Sequence, residues 1–377
     1  MSACRRPFRV WPAPLLVVSY VLLIGPDRVL AQGTGWEVEV HGGGSSVGNL
    51  SGGTATAPAG TALATGDPTN PSRRVSTWFA GDGASLANSV AGQFTGSGAF
   101  SARIAPLESF LNRPFAERES GGSFGFRVSR ALTERFSAEF NFDYSASALT
   151  VPSAIEAGLQ NTATTFKGTF EGIMAPLPII IPTSTLAVSS SSTLRNRSGG
   201  SQTIMTGAIN VNLLTEGRMI PYATGGIGVI SDGGDTPAAD MQGQYIFRFQ
   251  GMTVFDETDT VSLAYDSDDR MVVGVFGGGV RWFLNDRSGI RGDVRVHVGS
   301  RTVRTLLDAT PTVRTASPDL LLAIWTNTNP SIQFSNNPGL TNLSSSLTGP
   351  ALNDFQLHEV EGTVTQLLFS AGYFFRF

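Results

Sequence analysis

ERFSAEFNFDY, residues 134–144, carries an apolar or aromatic side chain at every second place: Phe136, Ala138, Phe140, Phe142 and Tyr144. Between them stand Arg135, Ser137, Glu139, Asn141 and Asp143. Successive side chains of a strand face opposite sides, so this stretch reads as a β-strand with one greasy and one charged face. Which face is inward does not follow from periodicity, because a water-soluble sandwich alternates too.

Seven more segments alternate in this way, giving strands near 36–44, 122–130, 134–144, 202–213, 220–230, 271–283, 288–298 and 366–377. The connections between them run to 77, 3, 57, 6, 40, 4 and 67 residues. Structureless loops beyond about 15 residues are uncommon in compact domains, yet every odd connection here is long and every even one short. A barrel crossing an outer membrane has that asymmetry, with short periplasmic turns and long outer loops. The long connections are rich in Ser, Thr, Gly, Pro and Asn, as in 52–72 and 335–350. In the third, QYIFRFQ (244–250) and TVSLAYD (260–266) read as strand extensions above the bilayer, while APLPIIIP (175–182) in the second has no evident place.

The chain opens with arginines at 5, 6 and 9, an apolar run from Leu15 to Ile24, and Val29-Leu30-Ala31 before Gln32. That order of charged, apolar and small residues is a secretory signal peptide, and the run is too short for a spanning helix of roughly 20 residues. Cleavage is expected after Ala31, leaving 32–377 as the barrel. The 26 basic residues then fall to 22 and the 30 acidic ones to 29, a net charge of −7, which argues against a nucleic-acid partner. Cys4, the single cysteine, leaves with the leader, and with it any disulfide or thiol nucleophile.

The chain ends SAGYFFRF (370–377), with Leu367, Phe369, Ala371, Tyr373, Phe375 and Phe377 on one face of the last strand. Aromatic residues at this end suit the girdle where lipid meets water. In lipid the backbone finds no water, so the sheet must close and its outer face must be apolar. The charged face becomes the interior. The fold expected is all-β, an eight-stranded antiparallel up-and-down transmembrane β-barrel with long extracellular loops. The tail pattern Ser370, Gly372, Phe375, Phe377, with the hairpins at 224–229 and 275–296, resembles the small eight-stranded outer-membrane β-barrel family of the OmpA/OmpX type. That resemblance covers the strands, about a quarter of the mature chain, and includes no periplasmic domain. It implies an outer-membrane location, contact with membrane lipids and lipopolysaccharide, and reading of the last strand by the barrel-assembly machinery.

The inward face then holds Glu37, Glu39, His41, Arg127, Arg135, Glu139, Asp143, Arg281, Arg291, Asp293, Arg295, His297 and Arg376. Six arginines face five carboxylates. An eight-stranded barrel is just wide enough to be filled by side chains, and buried charges need partners, so the set reads as a salt-bridged plug. The role expected is structural or surface-interacting, the barrel mounting four large loops that meet an unidentified extracellular ligand. The alternative is a narrow pore or small-solute channel. A lipid-modifying enzyme is the weakest reading: His297, near Ser300 and on a face with Asp293, would be its centre, against the commoner fate of a satisfied lumen histidine.

No cofactor or metal is expected. The glycine runs at 42–44, 225–228 and 277–279 lack the following helix of a phosphate loop. Asp232, Asp235, Asp240, Asp256, Glu257, Asp259, Asp266, Asp268 and Asp269 make the third connection acidic, but their spacing matches no ion-binding loop, so they read as solvated charge. The triplets at Asn49, Asn196 and Asn342 fit a glycosylation pattern that a bacterial envelope gives little reason to use.

Overall fold

The computed structural model describes residues 35–62, 73–94, 102–175, 182–315, 332–334 and 351–377. The expected leader with its cleavage point, nearly all of 175–182, and 335–350 lie outside them. In chain order the main elements begin with β1 (Trp36–Val47), α1 (Gly81–Phe94), β2 (Gly121–Ala131), β3 (Phe136–Ser145) and α2 (Ser153–Met174). Next come β4 (Ser184–Asn196), β5 (Ser201–Asn212), β6 (Met219–Gly233), β7 (Ala238–Phe249) and β8 (Met252–Ser267). The chain finishes with β9 (Arg270–Asn285), β10 (Ser288–Ala309), β11 (Thr312–Thr315) and β12 (Leu352–Arg376).

Antiparallel pairing runs β1-β2-β3-β5-β6-β9-β10-β12 and returns from β12 to β1, closing a ring. Closure is in register: Val38 pairs with Phe375 and with Val128, and Ile290 pairs with Tyr373. Each ring strand contains or overlaps one of the expected segments. The sheet nevertheless holds thirteen strands, more than the eight expected. The additional members are β4, β7, β8, β11 and the short Thr54–Ala55, which continue the sheet beyond the ring.

The long connections therefore form ordered structure. β10 and β12 run past the ring as 22-residue and 25-residue strands, paired as far as Ala309 with Leu352, so much of the expected 67-residue loop is strand. The apolar patches of the third connection make a hairpin of their own, β7 on β8, whose outer edges bond to β4 and β10. In the second connection α2 lays Ile155, Leu159, Ala163, Phe166, Phe170 and Ile173 against this hairpin. That spacing is helical, and Pro152 precedes it with its carbonyl accepting from the Ile155 and Glu156 amides.

The two halves of the molecule have opposite polarity. In the cap, aromatic rings from three connections meet inside: Trp78 edge-on to Phe170 at 5.5 Å, Phe170 stacked on Tyr245 at 4.5 Å, and Phe79 against Phe166 at 5.0 Å. In the ring, Val40, Phe124, Ile227, Val272, Phe276 and Phe377 are exposed while Glu39, Arg127, Arg291 and Arg295 are buried. Ile204, Ile230, Met271, Val273, Val275 and Val364 form a separate buried apolar cluster towards the cap end of the ring strands.

Two carboxylates are set into the cap: Glu257, which accepts from the Tyr245 hydroxyl, and Asp259. Asp259 is fully buried, accepting from the Thr77 hydroxyl at 2.8 Å and the Trp78 amide at 2.7 Å. Burial pushes its pKa up to about 7, against the pull of those two donors. An acid whose folded value lies above its unfolded value of about 3.9 holds a proton in the fold that it releases on unfolding. Its contribution is whole below about pH 4 and lost as pH rises through about 7, at up to ~1.4 kcal/mol per pH unit. Thermal melts followed by near-ultraviolet circular dichroism should show this fall, and Asp259→Asn should reduce it, leaving the part due to Glu257, whose pKa burial also pushes up to about 7. A slope the same in both proteins would contradict the assignment.

Candidate functional site: the ionic lumen

The inward positions of the ring converge on three arginines and three carboxylates. Arg127 on β2 reaches Glu39 at 2.9 Å, Glu139 at 3.2 Å and Asp293 at 3.0 Å. Arg291 on β10 meets Glu139 at 2.7 Å and Glu39 at 3.4 Å. Arg295, two inward positions further along β10, meets Glu139 at 2.6 Å and Asp293 at 3.0 Å. Glu139 thus touches all three guanidiniums, and the Asn210 amide donates to it at 2.8 Å.

Around this knot lie two smaller groups. Towards the short turns Glu37 pairs with Arg281 at 3.5 Å and Arg376 at 3.3 Å, and Phe374, fully buried, packs edge-on to Phe283 at 5.2 Å. Towards the cap the His41 ring contacts Asp143 at 2.6 Å, and the Asn141 amide donates to the same carboxylate. His297 is buried on the same side of β10 as Arg295. Ser300 is exposed, and His297 and Ser300 point to opposite sides of β10, so no dyad forms between them.

Arg135 departs from the expectation. It is exposed in the turn between β2 and β3, ahead of the first residue of β3, where the strand's alternation does not yet act. Without it the lumen set holds five arginines against five carboxylates, with Arg376 at the half-open rim.

Some members were not anticipated. Tyr222 donates its hydroxyl to Asp293 at 2.8 Å, accepts from Arg291 Nε at 2.6 Å, and lies under the Arg291 guanidinium 4.4 Å from its ring centre. Its strand is the glycine-rich β6, whose alternation is too weak to assign a face. Asn210 is legible only through its neighbours, since an asparagine carries no charge to flag it.

The tail pattern has a packing role beside any recognition role. Ser370 donates to Asp293 at 2.7 Å. Gly372 faces the lumen, where an added Cβ would sit 2.7 Å from the Glu39 carboxylate and 2.6 Å from the His41 Cβ. Phe375 and Phe377 point outward, as does Tyr373. Gly125, on the other side of His41 in β2, is under the same constraint: a Cβ there would lie 2.2 Å from the Phe142 carbonyl and 2.6 Å from the Asp143 carboxylate. The glycines of this barrel make room for charged side chains.

The nine acidic residues of the third connection are dispersed by the cap. Asp240 pairs with Arg195 at 2.8 Å, Asp266 and Asp268 lie beside Arg304, and Asp232 meets Arg118 and Arg301. Among the described residues no three His, Cys, Asp or Glu converge as metal ligands would. Asn49 and Asn196 spend their amides on the Arg118 and Thr236 backbones, and Asn342 lies outside the described residues.

Ring, register and lumen together define a closed antiparallel β-barrel with an ionic interior and a folded cap. No family model matches the chain, and no curated protein matches it. Among solved structures, the outer membrane protein OprG from Pseudomonas aeruginosa is 8% identical, covering 93% of this chain and 99% of its own, at a TM-score of 0.35. The outer membrane protease OmpT from Escherichia coli is 6% identical over 93% and 99%, at 0.25. The toluene transporter TodX from P. putida is 10% identical over 92% and 91%, at 0.16.

Proposed function

We propose that the ring spans a bacterial outer membrane as a closed anchor, and that the cap built from the long connections is its recognition surface. The observation that carries this reading is the polarity of the ring: valine, isoleucine and phenylalanine outside, arginine and glutamate inside. A protein surrounded by water has no use for that arrangement, whereas acyl chains require an apolar exterior and a hydrogen-bonded ring without edges. Trp36, Phe136, Trp282, Tyr373, Phe375 and Phe377 cluster by register at the end with the short turns, where an aromatic girdle would meet the headgroups. On this reading lipids and lipopolysaccharide are the barrel's neighbours, and the last strand is what the assembly machinery engages.

The lumen supports a plug over a passage, because the central charges are paired across the barrel and Phe374 blocks the short-turn end. Purified protein in planar bilayers should show little steady conductance. A stable channel of nanosiemens size would overturn the plug and favour the small-solute pore.

A further inference from the structure

Where the cap meets the barrel mouth, two arginines from distant parts of the chain share one carboxylate. Arg118 precedes β2 and reaches Asp232 at 3.0 Å; Arg301, on β10, reaches the same oxygen at 2.8 Å. Both side chains are almost wholly buried, and Asp232 also accepts from Gln202 at 3.0 Å. Two positive charges against one negative leave an excess of one. Arg301 Nε and Nη2 have no hydrogen-bond partner among the described residues, although buried guanidinium donors are costly to leave unmade.

Arg118 and Arg301 line a cavity of about 30 Å³ that also touches Leu50, Tyr265, Val303 and Val364, with the exposed Gly48 and Asn49 in its wall. Asn49 fixes Arg118 from both sides, accepting from its amide at 2.8 Å and donating to its carbonyl at 3.1 Å. Burial lowers the Arg118 pKa, with Asp232 acting to raise it and Arg301 to lower it further, as an under-neutralised pair requires.

We propose that this pocket binds a carboxylate. A guanidinium's planar fork fits a carboxylate's two oxygens. A single negative charge would neutralise the site, and the apolar walls would accept a short hydrocarbon tail. The cavity itself holds only a group of a few atoms, so the charged head enters and any tail leaves towards Gly48. The head belongs either to a free small acid or to the end of a longer apolar one, and two probes separate these sources.

The experiment is isothermal titration calorimetry of the full chain, refolded in detergent micelles, with acetate, hexanoate and inorganic phosphate. Wild type should bind a carboxylate saturably at one site. Hexanoate binding at least about tenfold tighter than acetate assigns the apolar-tailed source; equal affinities assign the free small acid. Arg301→Gln should weaken binding by about tenfold or more, and Asp232→Asn, which removes the competing carboxylate, should strengthen it by a similar factor. If Arg301→Gln does not refold, Asp232→Asn decides, and if neither variant refolds, wild type does. Absence of saturable carboxylate binding in wild type, phosphate binding in its place, or affinities unchanged in a refolded variant would overturn the proposal.

Discussion

Glu139→Ala is expected to lower the barrel's unfolding free energy by about 3–5 kcal/mol, the cost of stripping one partner from a buried ionic cluster. Glu139, like Asp293, is in contact with Arg127, Arg291 and Arg295 together, and at shorter range to Arg291 and Arg295, so its removal leaves three buried guanidiniums sharing one fewer counter-charge. Asn210 loses the nearer of its two acceptors at the same time, keeping Ser137 at 3.4 Å. Urea unfolding in detergent micelles, followed by tryptophan fluorescence, measures the change, and the compact form on unheated gels should be lost at lower temperature. A midpoint shifted by less than the equivalent of about 1 kcal/mol would mean that these ion pairs contribute little, as exposed ones do.

Ile227→Arg tests the other face. Ile227 lies on β6, is 72% exposed, and has Gly207 and Gly274 as its cross-strand neighbours. In a water-soluble protein, arginine at so exposed a place changes stability by no more than about 0.5 kcal/mol. On the lipid face of a barrel the same change costs about 2–4 kcal/mol near the bilayer midplane. Unfolding from phospholipid vesicles should therefore show a loss of that order, and a neutral effect in vesicles would place Ile227 in water.

The ring was legible in the sequence because its signal is simple. A strand between lipid and a charged lumen must alternate, and ERFSAEFNFDY does so without a break. The strands of weakest alternation are the glycine-rich ones, where Gly277 stands opposite Arg295, Gly279 opposite Asp293 and Tyr222, and Gly226 and Gly228 beside Ala208 and Thr206, and a glycine carries no polarity. Tyr222 was hidden for that reason. Arg135 was misplaced because alternation was extended one residue past the strand's start, into a turn.

Of the cap, QYIFRFQ and TVSLAYD were legible as strands; the rest was not, for a different reason. Its strands face a buried core on one side and polar surroundings on the other, as in β4, whose exposed face carries Thr185, Ser189, Ser191, Thr193 and Arg195 and whose inner face still holds Ser190 and Ser192. Taken alone, a serine-rich stretch reads as linker. The stripe of α2 from Ile155 to Ile173 has correct helical spacing, but Thr162 and Thr169 occupy buried places on it and Thr164 and Thr165 lie beside it, lowering its contrast. The pairing of β8 with β10 joins segments with no local signal between them. Arg118 and Arg301 are 183 positions apart, and only the fold brings them to one carboxylate.

The central claim is that one sheet is apolar outward in the ring and apolar inward in the cap. Cysteines placed singly along β3 at 136 to 143, in a chain begun at residue 32 and so without Cys4, can each carry a nitroxide in vesicles. Collision with oxygen, which enters lipid, should then exceed collision with a water-soluble nickel complex at 136, 138, 140 and 142, and both should be low at 137, 139, 141 and 143. Nickel accessibility at the four outward positions equal to that of an exposed turn such as 133 would contradict the account.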